Sequence, residues 1–404
     1  MNALICRAIS AFAVAGALGA ALLLGPTAHA QEPPPACDAE ALQACYLSFT
    51  PPGAHGVLNY YTSALPVSAT STASAPTEAL IALHGHPRDA NKTFNAALLA
   101  VKHATGPGSG AVSEAAVGAH APGNILVVAP LFQVSEERAL KCQTKGVPAA
   151  AEGDLLWTCG SWLEGGEASG GGPTSFAALD ALVAELQRQW PSLQQITIAG
   201  FSAGAQMVQH YIGFAAAPSQ PVKLRYVVSD PGTWLYYDPV RPKPTLAGAA
   251  VDVSQCQGGA DNLGGCVVDW AGLARQKDDN TPDSSSCPTL NTWKYGTQDL
   301  PTRFGRTAAQ AREHYARADI SYMEGALDSS QAAGTAFKVL DKSCAGAAQG
   351  MYRLQRGLFY AQYDRALLAP DKKRTVVIVP DCAHDVACVF PSDAARASLL
   401  GSGY

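Results

Sequence analysis

What the chain lacks narrows it first. Beyond the first two dozen residues no apolar run is long enough to cross a bilayer, so no membrane span is expected in the mature chain. No two cysteines stand in a C-x-x-C pair, and no histidine cluster accompanies them, so the spacing of a zinc site is missing. Basic residues do not concentrate either. The one cluster, Lys372-Lys373-Arg374, leads into an apolar strand, and 28 Lys and Arg against 33 Asp and Glu leave a net charge of −5. That balance argues against nucleic acid or another polyanion as partner. No internal repeat is visible. Gly106-Pro107-Gly108-Ser109-Gly110-Ala111 imitates a dinucleotide fingerprint, but it follows a helix-like segment rather than the strand such a fingerprint requires. No metal and no cofactor are expected.

What is present begins with a leader. Arg7, the apolar run Ala8 to Leu24 and the small-x-small Ala28-His29-Ala30 form an export signal cut before Gln31. Of the eleven cysteines, Cys6 leaves with it. The other ten form an even set suited to disulfides in an oxidising compartment, which places the protein outside the cell or in a periplasm. The shortest loops, Cys37 to Cys45, Cys142 to Cys159 and Cys256 to Cys266, are the simplest pairings.

The pattern divides the chain into residues 1–30 as signal, 31–75 as an extension rich in Pro, Ala, Ser and Thr, and 76–404 as one domain. Val67 to Pro76 reads as a surface linker. Near-continuous apolar runs then recur at Glu78–Leu83, Asn124–Ala129, Gln195–Ala199, Leu224–Val228, Ile320–Met323 and Thr375–Val379. Runs of this kind fit strands covered on both faces. Between them, Phe176, Leu179, Leu182, Val183 and Leu186 mark one face of a helix over Ser175–Gln189, capped by Thr174 or Ser175 and stopped by Pro191. Alternating strands and helices predict an α/β fold with a doubly wound, mostly parallel sheet. Residues 231–315 break the rhythm and read as an inserted cap stapled by Cys256, Cys266 and Cys287. Trp234, Tyr236, Tyr237 and Trp270 there form either an aromatic platform for substrate or the core of the insertion.

Gly200-Phe201-Ser202-Ala203-Gly204 carries the chemistry. It fits G-x-S-x-G, with a strand before it and helical spacing after it at Ala205, Val208, Tyr211 and Ile212. A serine on so tight a turn is pushed out of the sheet as a nucleophile, in front of backbone amides at a helix N-terminus. Such a serine needs a base and an acid to orient it. His384 follows the last strand and so lies at the same sheet edge. Asp328 follows the strand before, in the chain order Ser, acid, His; Asp230, at the end of another strand, is the alternative acid, with Glu324 behind both. His210 lies on the helix after Ser202 and packs or faces solvent. The turn His84-Gly85-His86-Pro87 after the first apolar run can aim an amide at a substrate oxygen. Ala203 and His86 are the two expected donors, since Pro87 has no N–H.

Together these motifs resemble the α/β-hydrolase superfamily, from about Ala75 to the C-terminus. Within it, the secreted serine esterases and the polyester or polyhydroxyalkanoate depolymerases are similar in leader, cysteines and elbow. Ala205 after Gly204, and His-Gly-His-Pro in place of a glycine run, depart from their pattern. The resemblance implies an α/β-hydrolase fold and a Ser202-His384-Asp328 triad. It also implies acyl transfer to Ser202 from a small-molecule or polymeric ester. A secreted peptidase or acyltransferase using the same residues, or a non-catalytic binding protein of the same fold, are the other readings. Oligomeric state leaves no mark on the sequence.

Overall fold

The computed structural model describes residues 37–66, 75–105, 125–257, 263–275 and 286–401. The leader, most of the Val67–Pro76 stretch and the Gly106–Ala111 motif lie outside them. Among the described residues no helix is long and apolar enough to cross a membrane.

Eight strands form one sheet: β1 Tyr46–Phe49, β2 Leu58–Thr62, β3 Glu78–Leu83, β4 Ile125–Leu131, β5 Gln195–Phe201, β6 Lys223–Ser229, β7 Ile320–Gly325 and β8 Val376–Val379. They lie in the order β1-β2-β4-β3-β5-β6-β7-β8. β1 and β2 pair antiparallel, as do β2 and β4, and every pairing from β4 to β8 is parallel. The sheet is therefore doubly wound and mostly parallel, as the apolar runs predict. β1 and β2 are a correction. They fall inside the stretch read as an N-terminal extension, because two short strands at an antiparallel edge leave too little periodicity to separate from loop.

Five longer helices cover the sheet: α1 Ala90–Thr105, α2 Ser175–Gln189, α3 Ala203–Tyr211, α4 Ala308–Arg317 and α5 Arg353–Tyr363. Period-two alternation sends successive β3 residues to opposite faces. Leu80 and Ala82 join α1 through Phe94 and Ala97. Ile81 and Leu83 join the side of α2, α3 and α5. On α2 the apolar stripe Phe176, Leu179, Leu182, Val183 and Leu186 is buried, and the Thr174 hydroxyl caps the helix by accepting from the Ala177 amide at 3.0 Å. Each such side chain is worth roughly 1.5–3 kcal/mol relative to exposure.

Among the described residues the insertion has no strand in the main sheet. It holds a two-strand ribbon, Thr245–Leu246 with Ala249–Ala250, and a short helix, Trp270–Arg275. It ends earlier than residue 315, because Thr307 and Gln310 form a reciprocal capping box that starts α4 at Ala308. Of the two readings of the insertion's aromatic residues, the structure favours core: Trp234, Tyr236, Tyr237 and Trp270 are buried. Trp234 stacks on Tyr360 of α5 at 4.3 Å, and Trp270 meets Tyr363 at 5.8 Å. These rings join the insertion to the core. Ten cysteines form five disulfides: Cys37–Cys45, Cys142–Cys159, Cys256–Cys266, Cys287–Cys344 and Cys382–Cys388. Cys287 thus bonds outside the insertion, to the segment between β7 and α5.

Candidate active site

The loops leaving the carboxyl ends of β3, β5, β7 and β8 converge on one edge of the sheet. The strand-to-helix turn comes first, and two glycines explain its shape. A Cβ on Gly200 would sit 2.2 Å from the Gly204 carbonyl oxygen, and one on Gly204 would sit 2.4 Å from that of Leu83. Neither contact is tolerable, so β5, α3 and the end of β3 approach this closely only because both positions lack side chains. A Cβ on Gly85 would lie 3.6 Å from the Ser202 Cβ, which sets the His84-Gly85-His86 turn directly beside the serine. Between them Ser202 takes φ 58° and ψ −119°, a region costly for any residue with a Cβ. Its amide is held by the Ser229 carbonyl at 3.0 Å and its carbonyl accepts from Gln206 at 3.0 Å. Ala203 opens α3, so its amide has no acceptor within the helix.

The turn after β3 is anchored from behind. His84 is fully buried; its Nδ1 donates to the Gly85 carbonyl at 2.8 Å, and its Nε2 accepts from the Phe132 amide at 3.2 Å. Burial pulls its pKa down to about 4, so the ring is a neutral structural bracket against Trp162, at 4.5 Å. The Gly85 amide is taken by Asp89 Oδ1 at 2.9 Å, and the His86 side chain is exposed. His210 is buried, its two ring nitrogens facing the Gln206 and Lys294 carbonyls at 2.7 Å each. It packs rather than faces solvent.

His384, in the loop after β8, places Nε2 2.7 Å from Ser202 Oγ and Nδ1 2.7 Å from Asp328 Oδ2. The carboxylate fixes the tautomer: Nδ1–H donates to Asp328, which leaves Nε2 to accept from the serine hydroxyl. The Phe201 ring backs the imidazole at 4.9 Å. The two loops are also tied to each other, His384 N donating to the Gly334 carbonyl at 3.0 Å and Leu327 N to that of Cys382 at 2.8 Å. A Cβ on Gly325 would fall 2.6 Å from the Cys382 carbonyl, so glycine at the end of β7 is what lets this loop cross it.

Three groups surround Asp328; sequence reasoning names Asp230 and Glu324 as other acids near this edge but gives no place to Arg353. Arg353, at the start of α5, holds one guanidinium nitrogen 3.5 Å from Asp328 Oδ1 and donates from it to the Thr335 carbonyl at 2.7 Å. Asp230 is fully buried at φ 53° and accepts from the Gly325 amide at 2.8 Å and the Ser229 hydroxyl at 2.7 Å. It makes no hydrogen bond to His384. Burial, and then the Asp328 charge, push its pKa up to about 6. Glu324, buried beside Asp230, is driven well above the ordinary carboxylate range by desolvation and by the two aspartates. Asp230, Asp328 and His384 bring ligand-type atoms within 4.8 Å of one another. Those atoms are engaged by one another and by Gly325, Ser229 and Arg353.

Over 88% of its length the chain is similar to poly(aspartic acid) hydrolase-1 from Sphingomonas sp. KT-1, at 17% identity and a TM-score of 0.49, covering 98% of that chain. Over 87% it is similar to a poly(3-hydroxybutyrate) depolymerase from Bordetella parapertussis, at 14% identity and a TM-score of 0.49, covering 88% of that chain. A carboxyl esterase from Tuber melanosporum aligns over 89% of this chain and 83% of its own, at 11% identity and a TM-score of 0.38. No protein-family model matches the sequence, and no curated protein matches it. With its strand order, its parallel core and a serine turn between β5 and α3, the fold is that of the α/β hydrolases.

Proposed function

We propose that this chain is a serine hydrolase that cleaves carboxylic esters through an acyl-enzyme on Ser202, working after export to an oxidising compartment. One observation carries the reading: an unbroken line of two 2.7 Å hydrogen bonds from Ser202 Oγ through His384 to Asp328, on a serine held in a strained turn. Export is supported by the leader-like first thirty residues together with five disulfides.

In this mechanism His384 Nε2 takes the hydroxyl proton as Ser202 Oγ attacks the ester carbonyl. Asp328 holds the required tautomer and stabilises the imidazolium that forms. The negative oxygen of the tetrahedral intermediate faces the amides of Ala203 and His86, and donors of this kind are worth about 2.7–4 kcal/mol each. Collapse breaks the bond to the alkoxide, which leaves with the proton from His384. Water, deprotonated by the same nitrogen, then releases the acid and restores the serine. Asp328 is preferred to Asp230 as the acid because both Asp230 oxygens already accept from other donors.

A fluorophosphonate probe, followed by a panel of p-nitrophenyl esters and peptide anilides, tests the proposal. Wild type should label and turn over esters, while Ser202→Ala should do neither and melt at the same temperature. Retained turnover in Ser202→Ala overturns the assignment; preference for the anilides moves the reading to a peptidase.

A further inference from the structure

A cavity of about 700 Å³ lies between the insertion and the segment joining β7 to α5, and none of Ser202, His384, Asp328 and His86 lines it. Its size is that of a small-molecule site. Its walls are largely apolar, with Val251, Phe337 and Met351 among them, yet four cations line it: Arg241, Lys243, Lys342 and Arg356. One carboxylate, Asp252, is among the lining residues, and it is turned to the Ser254 amide at 2.9 Å as a helix cap. This concentration of positive charge stands out on a chain whose net charge is −5.

The two arginines are buried, at 3% and 1% exposure. Among the described residues neither forms an ion pair, and neither does Lys342. Arg241 donates to the carbonyls of Val240, Leu290 and Tyr295, and its Nε has no partner. Arg356 donates to the carbonyls of Gly350, Gly232 and Asp341. The Asp341 carboxylate acts on Arg356 only from its own place against Lys294, 3.0 Å away. A guanidinium carries five N–H groups, so each arginine retains hydrogen-bonding capacity beyond these carbonyls. Burial lowers both to about 10, which leaves them cationic at neutral pH. Buried charge without a counter-charge is costly unless something supplies one. Lys342, exposed at the rim, lies over the Phe337 ring at 4.7 Å.

We propose that this cavity is a second binding site, taking an amphipathic organic anion whose apolar body fills the space beside Phe337 and Met351 and whose carboxylate meets Arg241, Arg356 and Lys342. The site is independent of the reaction assigned to Ser202.

Calorimetric titration of the purified protein with decanoate tests it, with decanol as the uncharged control of equal chain length. The exposed positions Lys342 and Ala250 give variants that leave the buried arginines in place: Lys342→Glu reverses a charge at the rim, and Ala250→Trp fills space. Decanoate should bind at one saturable site, decanol at least tenfold more weakly. Each variant should lose at least tenfold in decanoate affinity while hydrolysing p-nitrophenyl esters like wild type. No saturable binding overturns the proposal, as does equal affinity for decanol. Wild-type affinity in both variants overturns it too, since the anion is then bound elsewhere, Ser202 included.

Discussion

The two sides of the site are built by different means. On the serine side, position is set by backbone against backbone: Gly200 and Gly204 permit contacts that no side chain would allow, and Ser202 is held at φ 58° between them. On the acid–base side, position is set by side chains and cross-links. Asp328 is steadied by Arg353, the His384 loop is closed by Cys382–Cys388, and Cys287–Cys344 fastens the segment between β7 and α5 to the insertion. A steric site is compact in sequence and intolerant of added atoms. A site made of polar partners is dispersed in sequence and sensitive to charge.

The largest effect expected from this contrast is on the serine side. Gly200→Ala puts a methyl group 2.2 Å from a carbonyl oxygen, so it should cost several kcal/mol or yield no folded protein, as read by urea denaturation. Wild-type stability in that variant would break the comparison. On the other side, substitutions should spare the fold and strike turnover. Asp328→Asn should lower kcat by about 10⁴-fold through the wrong imidazole tautomer. Asp230→Asn, whose carboxylate makes no bond to His384, should lower it by about tenfold or less. Equal losses in steady-state assays of the pair would mean that the two aspartates act as one unit.

The smallest effect concerns Glu324, and its sign follows from its raised pKa. In the unfolded chain the group ionises above its ordinary value of 4.5, whereas in the fold burial and the two aspartates make it hold its proton to higher pH. Folding therefore loses stability as pH rises past about 4.5, and none below that. Glu324→Gln removes the dependence. Melting curves at pH 4 should nearly coincide for wild type and variant, and at pH 7 the variant should be the more stable. The reverse order would place a charged carboxylate at this position.

How much of this the sequence carried follows the same division. The serine turn is written in five consecutive residues between a strand and a helix, and the parallel strands are written as apolar runs, so both can be read locally. Ser202, His384 and Asp328 can be singled out because each follows a strand of that sheet. Their mutual distances cannot, and Asp328 and Asp230 are alike in sequence, differing only in which donors reach them. Arg353 is invisible beforehand, since it meets Asp328 from a helix that begins twenty-five residues later. β1 and β2 were hidden for another reason: they are short, and take their place by pairing at an edge. The aromatic residues of the insertion offered two readings, and only burial against α5 separates them.

Cys382–Cys388 has a further consequence. The bridge encloses His384 in a ring closed by a separation of only six residues, while the nucleophile's turn depends on no sulfur at all. Opening that bridge would lengthen the local tether on His384 and leave the imidazole held by its bonds to Asp328 and Gly334 and by the Phe201 ring.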